Sequence, residues 1–179
     1  MDNLNEIFSL NQNATSESFP KGTILQHQGD FPVSSYFVKK GLLKSYTIDE
    51  KGKEHIFMFG PEGWIVADIE SQIFEKPAAL FIECLEDSDV IVFHEDLTNT
   101  SDLSKKHLLK QIQLMLRRIG TLQRRLIMMM SAPAIQRYEY FINIYPNLPN
   151  RIPQKMIAAY LGITPEALSS RRSKRLRSK

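Results

Sequence analysis

Arginine is missing from the first 116 residues of this 179-residue chain. That stretch therefore lacks the planar, permanently charged fork that holds phosphates and carboxylates in bidentate fashion. Acidic residues are scarce in the opposite region. Residues 1–100 hold 7 Lys and Arg against 17 Asp and Glu, whereas residues 101–179 hold 16 against 3. The modest net charge of +3 thus conceals an acidic half joined to a basic half, and such asymmetry points the basic half at a polyanion. Cysteine occurs once, as Cys84. An intrachain disulfide and a four-cysteine cluster are both excluded, and a thiol flanked by Ile82 and Leu85 is expected to be a small core residue. No apolar run approaches the length of a membrane span, and the acidic, polar N-terminus is unlike a signal peptide. A soluble, cytoplasmic protein without a membrane partner is expected. The hydrophobic content of 42% is ordinary and sufficient for a core.

What is present centres on Ser101–Met130. Leu108, Ile112, Met115, Ile119, Leu122, Leu126 and Met129 recur at alternating gaps of four and three, the seam of a helix that meets a partner helix. A second stripe, Leu109, Leu116, Ile127 and Met130, lies beside it. One face is expected to cover the chain's own core while the other meets a second chain; a monomeric bundle using both is the alternative. Thr100 or Ser101 is the expected N-cap, with Asp102 in the first turn. Gly120 costs about 1 kcal/mol against alanine in a helix and permits a close crossing. Ile112, Met115, Ile119, Leu122 and Leu126 are the expected dimer contacts.

In the acidic half, Asn3–Leu10 allows a short amphipathic helix. From Ser16 the period becomes strand-like, with β-rich runs at Ile24–His27, Ser35–Lys39, Leu42–Ile48, His55–Phe59, Leu80–Leu85 and Val90–His94. Glycines punctuate them, and Asp49-Glu50-Lys51-Gly52 has the composition of a hairpin turn. Short strands at this spacing predict a barrel or sandwich. Ile65–Phe74 predicts a short helix lodged among the strands, and a closed roll with a helix in its wall often encloses a small ligand. His27, His55 and His94 fall in three different predicted strands, as in a cupin-like metalloenzyme. They lack a His-x-His pair or a nearby carboxylate set, so no metal is expected. Trp64 is expected to pack under the roll, with lining of a pocket as the alternative.

In the basic half, Ser131-Ala132-Pro133 has the form of a helix start, with serine as cap and proline in the first turn. Ile135, Tyr138, Phe141, Ile142 and Tyr145 form one stripe, closed by Pro146 and Pro149. A second short helix follows Arg151-Ile152-Pro153, turning Met156, Ile157, Tyr160 and Leu161 inward, and Gly162 stops it. Thr164-Pro165-Glu166 opens a third, with threonine as N-cap, proline at N1 and Glu166 near the positive end of the dipole. Two helices separated by Gly-Ile-Thr-Pro, the second turning strongly basic, fit a helix-turn-helix. Ala158 allows close crossing, and Ile163 and Leu168 pin the second helix. Its polar start can reach base edges while Lys and Arg neutralise phosphates.

Phe19-Pro20-Lys21-Gly22-Thr23-Ile24-Leu25 through Gly29-Asp30 lies in family order with Tyr36–Gly41 and Leu42-Leu43-Lys44. Glu86–Val90 and Ile157–Glu166 continue the series, and the whole chain resembles the Crp/Fnr regulators, in particular a short Bacteroidetes-type subgroup. The resemblance implies an α+β protein: an antiparallel, jelly-roll-like β-roll sensor (1–100), a long dimerisation helix (101–130) and a helix-turn-helix DNA-binding domain (131–179). It implies a homodimeric, non-enzymatic transcription regulator. DNA contacts then fall to Thr164, Pro165, Glu166, Ser169, Ser170, Arg171, Arg172, Lys174 and Arg175. An effector pocket would involve Gly63, Trp64, Ile65, Ile69, Ala78 and Ala79.

Against the family's cyclic-nucleotide users, whose wall helix begins with Gly-Glu and is followed by Arg-Ser or Arg-Thr, this chain has Gly63-Trp64 and Pro77-Ala78-Ala79. A buried cyclic phosphate would lack its bidentate partner, so the expected effector is not a cyclic nucleotide. At the second recognition position Ser170 replaces a common arginine, and Arg171 falls where an apolar residue usually packs. The expected partners are DNA and a second copy of the chain. RNA polymerase and an unidentified small-molecule effector stay open, and no cofactor is expected. The alternative function is a ligand-binding or protein-interaction roll with weakened sequence-specific DNA binding.

Overall fold

The computed structural model describes residues 14–94 and 105–169, without the side chains of 106, 107, 110, 111 and 114. The chain divides into two compact units, Met1–Ser104 and Lys105–Lys179. The long helix therefore belongs with the helix-turn-helix segment in one unit.

The first unit is an antiparallel roll. Its strands are β1 (Ala14–Phe19), β2 (Ile24–Gln26), β3 (Ser35–Lys40), β4 (Leu43–Ile48), β5 (Glu54–Gly60), β6 (Ile65–Ala67), β7 (Phe81–Cys84) and β8 (Ser88–Phe93). They form two four-stranded sheets, ordered β1-β8-β3-β6 and β2-β7-β4-β5. Alternation sends Tyr36, Val38, Leu43, Met58, Val66, Ile82, Cys84, Val90 and Val92 into one core cluster. A second cluster, Phe37, Ile91 and Phe93 with Ala14 and Ile65, lies on the other side of the first sheet. Between β4 and β5, the Asp49 carboxylate accepts from the Lys51 and Lys53 amides at 2.9 and 3.0 Å. Gly52 supplies the positive φ of 76° there, as a hairpin turn of this composition requires.

Two expectations for this half need correction. Ile65–Phe74 is not all helix: Ile65–Ala67 is strand β6, paired with β3, and the wall helix α1 spans only Ile69–Phe74. The buried Asp68 caps that helix, its carboxylate accepting from the Ser71 amide at 3.2 Å, and so sets the start. His27 and His94 fall just past the ends of β2 and β8, so only His55 lies in a strand. Each histidine has its own neighbours: Asp30 for His27, Asp49 for His55, and Thr15 and Ser34 for His94. Among the described residues no group of His, Cys, Asp and Glu could hold a metal ion. The expected helix at Asn3–Leu10 lies outside the described residues.

In the second unit, α2 runs Lys105–Ser131, α3 Ala134–Ile144 and α4 Gln154–Leu161, with a 3-10 turn at Leu148–Asn150. Residues 165–169 form the described part of α5. The expected cap at Thr100 or Ser101 lies outside the described residues. Ser131 does not cap α3. It is the last residue of α2, its hydroxyl donating to the Ile127 carbonyl at 2.8 Å, and Pro133 holds the N-cap position. Proline has no amide to continue α2 and a φ already suited to starting α3. Tyr138, Phe141 and Tyr145 are buried as their spacing predicts. Phe141, Tyr145 and Tyr160 pack ring against ring, with centroids 5.3 to 5.9 Å apart. No helix among the described residues is long and apolar enough to cross a membrane.

Candidate functional site

On α2, neither apolar stripe is covered by the chain itself. Ile112, Met115, Ile119 and Leu126 are 44 to 61% exposed and Met130 79% exposed. Gly120 faces open space, with nothing within 4 Å of a Cβ placed there. The expectation that one stripe covers the chain's own core fails. The half-buried positions are instead Arg118, Arg125 and Met128. Long arginine stems cover aromatic surface well: the Arg125 guanidinium lies 4.0 Å from the centre of the Tyr160 ring.

The described residues of α4, the turn and the start of α5 take the conformations their sequence predicts. Ile157, Ala158, Leu161 and Leu168 are buried and hold α4 and α5 together. Gly162 ends α4 in the left-handed conformation, φ 63° and ψ 38°. Thr164 is the N-cap of α5: its hydroxyl accepts from the Ala167 amide at 3.2 Å and its carbonyl from the Leu168 amide at 3.1 Å. Hydrogen bonds from its own backbone amide and the Thr164 hydroxyl hold the Glu166 carboxyl below the usual glutamate range. Thr164, Pro165, Glu166 and Ser169 all face outward. The structure thus brings these four residues to one exposed helix start. Ser170, Arg171, Arg172, Lys174 and Arg175 lie outside the described residues.

In the roll, the six expected pocket residues do not share one face. Trp64 is half-buried against the main core, while Ile65, its neighbour, packs on the Phe37 cluster. Gly63 and Ala79 are exposed, Ile69 is 48% exposed, and only Ala78 is fully buried. Strand alternation separates Trp64 from Ile65, and α1 turns Ile69 outward. Because α1 starts at Ile69, the pair in front of it is Ala67-Asp68 rather than Gly63-Trp64.

Sequence reasoning gives Asp68 only as a charge that would repel an anion and misses what it holds together. Its second carboxylate oxygen accepts from the Ala79 and Leu80 amides at 2.8 and 2.9 Å. One buried carboxylate thereby ties the start of α1 to the loop entering β7. The Ser71, Ala79 and Leu80 amides are thereby already bonded to an anionic carboxylate. An Asp directly before a short helical run was the available signal.

Other buried polar groups in the roll are embedded in the structure. Lys44 is 2% exposed, bridging Glu54 at 2.7 Å and Glu83 at 3.2 Å, with its ammonium 3.9 Å from the Tyr46 ring centre. Burial, reinforced by Glu83 and Glu54, pushes the Tyr46 hydroxyl up. Burial raises Cys84 to about 11, so it stays a thiol at neutral pH. Gln26 Oε1 and Ser45 Oγ are buried without a hydrogen-bond partner. Gln26 and Ser45 both pair with Ile82, placing them on the same sheet face.

With this geometry in view, the comparisons are specific about the first unit. Residues 16–99 match the cyclic nucleotide-binding domain. Comparison with curated proteins returns no match. Among solved structures, FixK2 from Bradyrhizobium japonicum is 18% identical, with 90% of this chain and 83% of that chain covered and a TM-score of 0.74. A CooA mutant from Carboxydothermus hydrogenoformans is 15% identical over 97% and 84% of the two chains, with a TM-score of 0.73. The c-di-GMP-responsive global regulator CLP of Xanthomonas campestris is 14% identical over 99% and 91%, with a TM-score of 0.70. At these identities the likeness is one of fold, and it extends over both units.

Proposed function

We propose that this chain is a homodimeric, DNA-binding transcription regulator of the Crp/Fnr type, with a roll whose effector is not a cyclic nucleotide. The observation that carries the reading is the exposed start of α5. Thr164, Pro165, Glu166 and Ser169 stand outward on a helix seated by Leu168 behind a left-handed Gly162, the part of such a motif that enters the major groove. Arg171, Arg172, Lys174 and Arg175 follow in sequence as phosphate partners. The uncovered stripes of α2 suit a second copy of the chain. DNA is then the principal partner, the bacterial cytoplasm the place of action, and RNA polymerase the machine whose work is altered. The effector, where one is used, is apolar or weakly charged. The roll offers no arginine, and Asp68 occupies the amides of Ala79 and Leu80.

A second reading, a roll module with weakened sequence-specific DNA binding, draws on the anion at the reading end. Glu166 is held ionised there, and residues 164–169 contain no cation. Titrating a fluorescent duplex at several salt concentrations tests the proposal. Six or more phosphate contacts in the dimer lower affinity about a thousandfold between roughly 50 and 200 mM salt. Absence of binding at the lower salt removes DNA reading from the account.

A further inference from the structure

Two guanidiniums converge on the end of α4 from opposite sides of the Ser131–Pro133 joint. Arg125, on α2, donates from Nη2 to the Tyr160 carbonyl at 3.3 Å. Arg137, on α3, donates from Nη1 to the Leu161 carbonyl at 2.7 Å. The other two carbonyls of the last turn, Ala158 and Ala159, accept from the amides of the turn itself, Ile163 at 3.0 Å and Gly162 at 3.2 Å. All four carbonyls that a helix leaves unpaired at its C-terminus are therefore bonded, two by the turn and two by arginines from other helices. The positive forks also lie at the negative end of the α4 dipole. Met129 adds a third contact: a Cβ on Gly162 would fall 2.8 Å from its terminal methyl. The turn between α4 and α5 is thus seated on the last two turns of α2 as well as on α3.

A helix-turn-helix closes without such seating, because Leu168 and the Gly162 and Ile163 amides already fix α5 on α4. The two arginines differ in what they join. Phe141, Tyr145 and Tyr160 form one aromatic core that joins α3 to α4; the short bond of Arg137 to the Leu161 carbonyl lies within that pair, and its Nη1 also reaches Met129 Sδ on α2 at 3.9 Å. Arg125 and Met129 tie the end of α4 to α2, and the Tyr140 hydroxyl, donating to the Thr121 carbonyl at 3.4 Å, ties α3 to it. Ala132 and Pro133 are outside both helices, and rotation there would preserve the Arg137 contact and break the Arg125 contact. We propose that Arg125 is a positioning residue for DNA reading, a latch that fixes the reading turn relative to α2, with Arg137 as its permanent half. This rests on the DNA-reading function proposed above.

The test compares full-length Arg125→Met, Arg125→Lys, Arg137→Met and Arg124→Met with the parent by residue-resolved hydrogen exchange and duplex binding at fixed salt. Arg124 is an exposed neighbour that loses the same charge. Loss of a charged hydrogen bond makes exchange at Gly162 and Ile163 about tenfold faster in Arg125→Met, while the Phe141 and Tyr145 amides keep their protection. Duplex affinity falls about tenfold in parallel, and Arg125→Lys regains part of both. Arg137→Met, which breaks a contact inside the α3–α4 pair, speeds exchange in both helices. Unchanged exchange at Gly162 and Ile163 in Arg125→Met overturns the latch, and uniform loss of protection through α3 and α4 reduces Arg125 to a packing residue. An affinity loss equal in Arg124→Met, or faster exchange with full affinity, overturns its role in reading. A parent chain that binds no duplex refutes the DNA-reading function itself, and the exchange data still decide the contact.

Discussion

In the roll the main cluster of apolar side chains points inward, and on α2 the apolar stripes point out. Val38, Leu42, Leu43, Phe59 and Ile82 are wholly buried. Along α2, Leu109, Leu116, Ile119 and Leu126 are each more than half exposed, on a helix of 27 residues. Strand alternation commits one face of every strand to a core that the same strands complete. A helix with two apolar stripes has more such surface than its own chain covers. The roll buries its main core between its own strands, while the helical unit leaves apolar surface uncovered along α2. Charge divides the same way: acidic residues dominate the first 100 positions and cations the rest.

The largest effect should come from taking the second surface away. Ile119→Glu with Leu122→Glu places unpaired carboxylates in the seam, at about 4 kcal/mol or more of association energy. Sedimentation should show the dimer constant weakened about a thousandfold, with the roll's β-sheet circular dichroism unchanged. Breaking the roll takes an internal residue instead. Asp68→Ala leaves the Ala79, Leu80 and Ser71 amides without their acceptor and should cost about 3 kcal/mol in urea unfolding; Asp68→Asn should cost less.

At the turn, Gly162→Ala should cost about 1–2 kcal/mol for the left-handed backbone. The clash with Met129 adds little, because its terminal methyl can swing aside. Thr164→Ala should cost about 1 kcal/mol through the lost cap. It should also let the Glu166 carboxyl, read by a side-chain NMR titration, rise toward its ordinary value. The sign follows from the depressed carboxyl. Glu166 stabilises the fold above its unfolded pKa, and that contribution disappears as pH falls through the lower folded value.

Most of this contrast was legible in the residues. Period-two runs located six of the eight strands, and the gaps of four and three located α2. Gly162 with Thr164-Pro165 located the turn, because each needs a specific backbone conformation. Strand β6 was hidden because three residues, Ile65–Ala67, are too few to show a period before Asp68 starts α1. Asp68 was hidden in its full role because the amides it holds, at Ala79 and Leu80, are eleven and twelve residues away. The assignment of one α2 stripe to the chain's own core failed for a different reason. The half-buried positions of α2 include Arg118 and Arg125, and the Arg125 guanidinium lies over the Tyr160 ring, while periodicity counts both as polar.

If two copies of this chain read DNA together, selection of bound duplexes from a random library with the full-length protein will show it. The expected outcome is a two-fold-symmetric consensus with half-site centres about 10–10.5 base pairs apart, weak in information content because Glu166 and Ser169 stand at the exposed start of α5. Recovery of an asymmetric site, or of no enriched sequence at all, would contradict it.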